Sequence, residues 1–218
     1  MSQQTSASAS ASPAPFVVHP LSAHTHTLIL LHGLGSNGEN FGRALLKTGV
    51  TSTGQYPSYR KETQLQGLEE SARETMDILR LEQTVGGIAP ENIILGGLSQ
   101  GCAMSLSVLL CLDHQIGGFV GMSGYLPFRD DIDEAVAEAS ADDDDENPFA
   151  GDEDAAERPP PAVRASIFER DLLGFPAVDD PAPEKTAHGT PIFLGHGSAD
   201  NKVPCSLGES ASTKLTMW

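Results

Sequence analysis

Ile93-Ile94-Leu95-Gly96-Gly97-Leu98-Ser99-Gln100-Gly101-Cys102-Ala103-Met104-Ser105-Leu106 is the stretch that decides the fold. Pro90-Glu91-Asn92 leads into it, and its opening four residues read as a short apolar strand. From Ser99 to about Leu112 the chain is apolar enough, and long enough, for a buried helix. The glycines between the two segments permit a turn in which a side chain would clash. A strand that passes through a sharp turn into a helix is a building unit of an α/β fold with a parallel sheet.

The same alternation continues on either side. His26 to His32, HTLILLH, is a second strand, apolar in its middle as a buried parallel strand should be. Phe16 to His19 is a candidate edge strand. A Gly-rich turn, Gly33 to Gly38, precedes a short helix over Glu39 to Leu46. Leu65, Leu68, Ala72, Met76 and Leu79 recur at three- and four-residue intervals, which predicts an amphipathic helix over Leu65 to Glu82. Downstream, Gly118 to Met122 and Thr190 to Leu194 are two more strands, the last ending in Gly195-His196-Gly197. The fold class is therefore α/β with a mostly parallel sheet. A length of 218 residues suits one domain, and no internal repeat is present.

Two intervals break the pattern. Residues 47–64, KTGVTSTGQYPSYRKETQ, hold no apolar run, so two helices follow one another and leave an edge or gap in the sheet. Residues 129–189 are far longer than an ordinary connection and carry DDDDE at 142–146 and three prolines at 159–161. This interval reads as a low-complexity acidic insertion, disordered over most of its length, with a short helix over Val163 to Leu173 as the exception. Near the end, Ser206-Leu207-Gly208-Glu209 has the spacing of a capping box that opens a helix.

Composition narrows the function. The net charge is −17, yet fourteen of the 30 acids lie between Asp130 and Glu157; removing those fourteen from −17 leaves −3. The acidity belongs to one segment, and no basic surface offers itself to nucleic acid. No apolar run approaches the ~20 residues of a membrane span. Residues 1–14 lack the basic and apolar regions of a secretory signal and read as a disordered arm. Cys102, Cys111 and Cys205 cannot all pair within one chain, which fits small core residues in a reducing compartment.

Gly97-Leu98-Ser99-Gln100-Gly101 is G-x-S-x-G, placed between strand and helix. That context makes it a nucleophile elbow, a strained turn that lifts a serine oxygen above the carboxyl edge of the sheet. The alternative is a plain helix N-cap serine. A developing oxyanion needs donors, and the backbone N–H groups of Gln100 and Leu34 are the candidates. Gly33-Leu34-Gly35-Ser36-Asn37-Gly38 also spells G-x-G-x-x-G, but residues 48–61 hold neither the acid nor the strand that a dinucleotide site needs. Asp200, just past the last strand, suits the acid that orients a catalytic histidine. The seven histidines all precede Asp200, whereas this fold orders its triad Ser, Asp, His. No residue is assigned as the base; His32 and His196 read as loop-packing residues.

LILLHGLGSNGENF, ENIILGGLSQGCAMSL and HGSADNKVP together resemble the acyl-protein thioesterase and carboxylesterase family of small cytosolic serine hydrolases. The resemblance covers most of residues 26–128 and 189–213. It implies an α/β-hydrolase fold, with Ser99 as nucleophile, Asp200 as triad acid, and Leu34 with Gln100 as oxyanion donors. It implies no cofactor and no metal. The substrates would be S-acylated proteins, for example palmitoylated ones, or small acyl esters, met with transient contact to membrane surfaces. The location would be cytoplasmic, with the nucleus as a second compartment.

The chain departs from the family pattern in three places. A strand and an aromatic loop after Tyr56 are not recognisable, the acidic insertion is added, and no Gly-His segment supplies a base after Asp200. Without a base, Ser99 stays protonated, and only about 10³–10⁴-fold acceleration would remain from the oxyanion donors and binding. A catalytically silent protein that binds acyl chains or a protein partner is the alternative. A chain left unable to fold by the missing strand is a third possibility.

Overall fold

The computed structural model describes residues 14–48, 61–141 and 159–217. The expected arm up to Pro13, the stretch 49–60 and the DDDDE run lie outside the described residues.

Among the described residues four strands form one parallel sheet in the order β1 (Thr27–Leu31), β2 (Ile93–Leu98), β3 (Gly118–Met122), β4 (Ile192–Gly195). Leu31 stands opposite Gly97, Leu98 opposite Met122, and Met122 opposite Gly195. All four carboxyl ends therefore finish side by side, and the residues that follow each strand share one edge. Among the described residues no strand separates α1 (Gly38–Thr48) from α2 (Lys61–Thr84), so β1 pairs directly with β2. β1 is the outer strand there, and Leu28 is exposed accordingly.

α3 (Gln100–Cys111) lies against the sheet and is flanked by α2 and α5 (Pro161–Leu172). It is covered on every side, which is why its sequence has no polar stripe. Ala72, Met76 and Leu79 of α2 point into the same core, as their spacing predicts, and the helix begins four residues before Leu65. The Ser105 hydroxyl sits 2.7 Å from both the Gly96 and Gly101 carbonyls and binds the middle of α3 to the elbow.

Three expectations need correction. Phe16 to His19 is not a strand. The Phe16 ring lies over Gly42 of α1, where an added methyl would meet it at 2.4 Å, and the Arg43 guanidinium stacks 5.7 Å from its centroid. The segment is thus held by a side chain on a helix and not by backbone pairing to β1. Second, the acidic interval is not disordered over most of its length, since residues 129–141 and 159–189 hold defined structure. α4 (Arg129–Ala141) buries Ile132 and packs on α5, which lies where the sequence places it. Asp133 binds Lys214 at 2.8 Å and Arg129 donates to Ser210 at 2.8 Å, tying α4 to α6 (Cys205–Met217). Beyond α5, the Ile116 N–H donates to the Thr190 hydroxyl at 3.2 Å and docks this stretch on the start of β3. A few apolar positions at helical spacing outweigh an acidic composition. Third, α6 begins at Cys205, so Ser206 lies inside its first turn and does not cap it.

α5 buries an unusual group. Glu169 is fully enclosed against α3 with neither oxygen in a hydrogen bond of good geometry. Burial pushes its carboxyl up to about 7, and the Ser107 hydroxyl offsets this only in part. Its neighbour Arg170 instead donates to the carbonyls of Cys111 and Pro176. A carboxyl with a raised folded-state pKa binds its proton more tightly in the native state. Stability is therefore lost as pH rises from about 4.3 towards 7 and is flat above that. Glu169→Gln removes the titration. Urea midpoints should show the variant gaining on the parent between pH 4.5 and pH 8, by on the order of 3 kcal/mol. A gap that does not change with pH would show that Glu169 is not the titrating group.

Candidate active site

Ser99 occupies the junction of β2 and α3 with φ 57 and ψ −119, a conformation that side chains rarely adopt. Its surroundings impose that geometry. The Ser99 N–H donates to the Met122 carbonyl at 2.8 Å, while its own carbonyl accepts the Ala103 N–H at 3.1 Å. A Cβ on Gly97 would sit 2.4 Å from the Gly101 carbonyl oxygen. One on Gly101 would sit 2.3 Å from the Leu31 carbonyl oxygen at the end of β1. The turn closes only because both positions lack side chains. Ser99 makes no side-chain cap bond to α3, so the N-cap reading does not describe it.

The loop after β1 passes against this serine: a Cβ on Gly33 would lie 3.4 Å from the Ser99 Cβ. Leu34 follows directly. Gln100 opens α3, so its N–H is one of the helix's first four donors, which have no acceptor within the helix. Asn37 accepts the Asn40 N–H at 2.8 Å and caps α1, which accounts for the end of the glycine-rich run in structural terms.

Asp200 lies in the turn after β4. Its Oδ1 accepts the N–H groups of Lys202 at 2.8 Å and Val203 at 3.1 Å. The Lys202 N–H, then the Val203 N–H, the Ser123 hydroxyl and the nearby His196 hold its carboxyl below the usual range, against partial desolvation. Ser99 and Asp200 thus follow β2 and β4 at the same edge, with the end of β3 between them. The histidines near this edge each engage a backbone carbonyl. His32 is exposed, its Nδ1 2.9 Å from the Gly33 carbonyl. His196 packs on Gly208 of α6, with Nε2 2.8 Å from the Val203 carbonyl and 3.8 Å from Asp200.

A trough of about 2010 Å³ opens along the first turn of α3. Gln100, Gly101 and Met104 line its near end, and Leu28, Phe41 and Leu81 its apolar flank. All three cysteines are free thiols. Burial pushes the Cys102 thiol up to about 12 and raises Cys111 as well, so both remain protonated packing groups. Among the described residues no His, Cys, Asp or Glu cluster could hold a metal ion, and no helix is long and apolar enough to cross a membrane. Sequence reasoning missed Met122, whose carbonyl accepts the Ser99 N–H; an apolar residue at the end of a strand carries no signal of that role.

The sequence profile of the Phospholipase/Carboxylesterase family matches residues 55–142. Acyl-protein thioesterase 1 of Emericella nidulans is 30% identical, over 92% of this chain and 80% of that protein. The chain belongs to the phospholipase/carboxylesterase family. This family member is also 29% identical to acyl-protein thioesterase 1 of Gibberella zeae, over 93% of the chain and 81% of the relative. Alignments to the proteins of that name from Yarrowia lipolytica and Schizosaccharomyces pombe span 66% and 65% of those relatives' length. Among solved structures, esterase PE8 superposes with a TM-score of 0.54 at 19% identity, covering 89% of this chain and 78% of that one. Arabidopsis thaliana SOBER1 gives 0.52 at 18%, covering 88% and 83%. At such identities the likeness speaks for the α/β-hydrolase fold alone. The carboxylesterase-family assignment makes the chain a member of a hydrolase family.

Proposed function

We propose that this family member hydrolyses acyl esters and thioesters, S-acyl groups on protein cysteines among them, with Ser99 as nucleophile. The observation that carries the reading is the backbone of Ser99, forced to φ 57 at the carboxyl edge of the sheet and at the start of α3. Its Oγ would attack the acyl carbonyl as its proton passes to a base held by Asp200, and His196, which faces that carboxylate at 3.8 Å, is the histidine placed to take it. The N–H groups of Leu34 and Gln100 would receive the oxyanion. The thiolate or alkoxide leaves with a proton, and water releases the acid from the acyl-enzyme. The apolar trough suits a long acyl chain. A net charge of −17 does not favour nucleic acid, and contact with membranes would be through the acylated substrate.

A second reading has its own support. His32 and His196 both engage backbone carbonyls, so a scaffold that holds acyl groups without turnover is the alternative. Hydrolysis of an S-palmitoyl peptide and of short and long p-nitrophenyl esters separates the two. The hydrolase reading expects product that depends on Ser99, and a kcat lowered about 10²–10⁴-fold by Asp200→Asn with KM little changed. Retention of the palmitoyl peptide with no Ser99-dependent product would establish the binder.

A further inference from the structure

α3 carries two fully buried serines, Ser105 and Ser107, among apolar side chains. Alanine is the better helix former and has no hydroxyl to desolvate, so a serine in this place calls for a reason. The two hydroxyls differ in what they meet. That of Ser107 makes no hydrogen bond of good geometry. The Ser105 hydroxyl lies 2.7 Å from the Gly101 carbonyl and 2.7 Å from the Gly96 carbonyl. The first contact is the ordinary back-bond of a helical serine to the preceding turn. The second leaves the helix, because Gly96 belongs to β2. Gly96 precedes Ser99 in the chain and Gly101 follows it. A hydroxyl has one proton, shared here between two acceptors that flank the nucleophile.

We propose that Ser105 is a positioning residue that holds the Ser99 elbow, and with it the Gln100 N–H, in the geometry needed for acyl transfer. The inference rests on the proposed hydrolase reading. The bridge from Gly96 through the Ser105 hydroxyl to Gly101 closes a ring, and the strained Ser99, at φ 57, lies inside it. A strained conformation persists only where its surroundings over-determine it. Gly101 already wedges the first turn of α3 against the Leu31 and His32 carbonyls at the end of β1. Ser105 ties the same turn to β2, so the peptide joining Ser99 to Gln100 is held from both sides. That peptide carries the N–H proposed to receive the oxyanion. Opening the ring would therefore misaim the nucleophile and the donor together.

Three variants separate positioning from packing. Ser105→Ala removes the bridge. Ser105→Thr keeps the hydroxyl but adds a methyl at a fully buried position. Ser107→Ala removes a buried hydroxyl that makes no bond to the elbow. On a p-nitrophenyl ester, Ser105→Ala should lower kcat about 10-fold with KM unchanged, a part of the ~10²-fold that a misplacement of about 1 Å costs. Ser107→Ala should keep the parent's kcat. Ser105→Thr should retain more kcat than Ser105→Ala although it melts at the lower temperature, an order that a purely structural role would reverse. In proton–nitrogen NMR spectra the Gln100 amide should shift in Ser105→Ala and stay in place in Ser107→Ala. With an active parent, an unmoved kcat or Gln100 amide in Ser105→Ala, or kcat that falls in step with melting temperature across the variants, overturns the proposal alone. A parent with no Ser99-dependent product refutes the hydrolase reading itself, and the proposal falls with it.

Discussion

Ser99→Ala is expected to abolish covalent capture of a fluorophosphonate probe, while the melting transition stays cooperative and close to the parent's. The probe reacts only with an activated nucleophile, and alanine offers none, so the loss is total and does not depend on how fast the parent turns over. Stability should barely change. The substitution keeps the Cβ and the strained φ, and Ser99 makes no side-chain bond that caps α3. Labelling that survives in the alanine variant would place the nucleophile elsewhere. A parent that melts cooperatively but never labels would carry an elbow without an activating base, and the acyl-binding reading would replace the hydrolase one.

Gly101→Ala should produce the largest loss of stability. The new methyl would fall 2.3 Å from the Leu31 carbonyl oxygen and 2.5 Å from that of His32. Both obstacles are backbone atoms at the end of β1, so relief requires β1 or α3 to move as a unit. Overpacking of this kind costs about 3 kcal/mol or more, which lowers Tm by roughly 6–12 °C in a domain of this size. Gly197→Ala is the matched control. A Cβ there meets nothing within 4 Å, so the change should stay within about 0.5 kcal/mol. Equal effects at the two glycines in thermal melts would contradict the close approach of α3 to β1.

Particular residues show what is legible in the sequence alone. Residues 93–112 declared strand, turn and helix because apolar continuity and glycine placement are local properties, and β2 and α3 lie there. The positions of Ser99 and Asp200 shortly after apolar strands were legible for the same reason. α4 was not, because Asp130, Asp131, Asp133 and Glu134 dominate its composition while Ile132 supplies its fully buried side chain among the described residues. Phe16-Val17-Val18 misled in the opposite direction. An apolar triplet suits a strand, but the Phe16 ring had a better partner in the bare surface at Gly42. The positive φ of Ser123 could not be read at all, since it leaves no mark on sequence spacing. Glu169 was equally hidden, an acid on a helix whose buried face is set only by where α3 lies.

The contacts that shape the elbow span long distances along the chain. Gly101 rests on Leu31, seventy residues earlier, and the Ser99 N–H needs the carbonyl of Met122. Contacts of that separation are slow to form, because chain closure precedes any reward from pairing. During synthesis, then, the GLSQG pentapeptide would leave the ribosome as an ordinary flexible segment, with a serine no more reactive than any other. Its reactivity would mature only after residue 122 had been added and three strands had come together. The onset of probe labelling would time the assembly of the sheet.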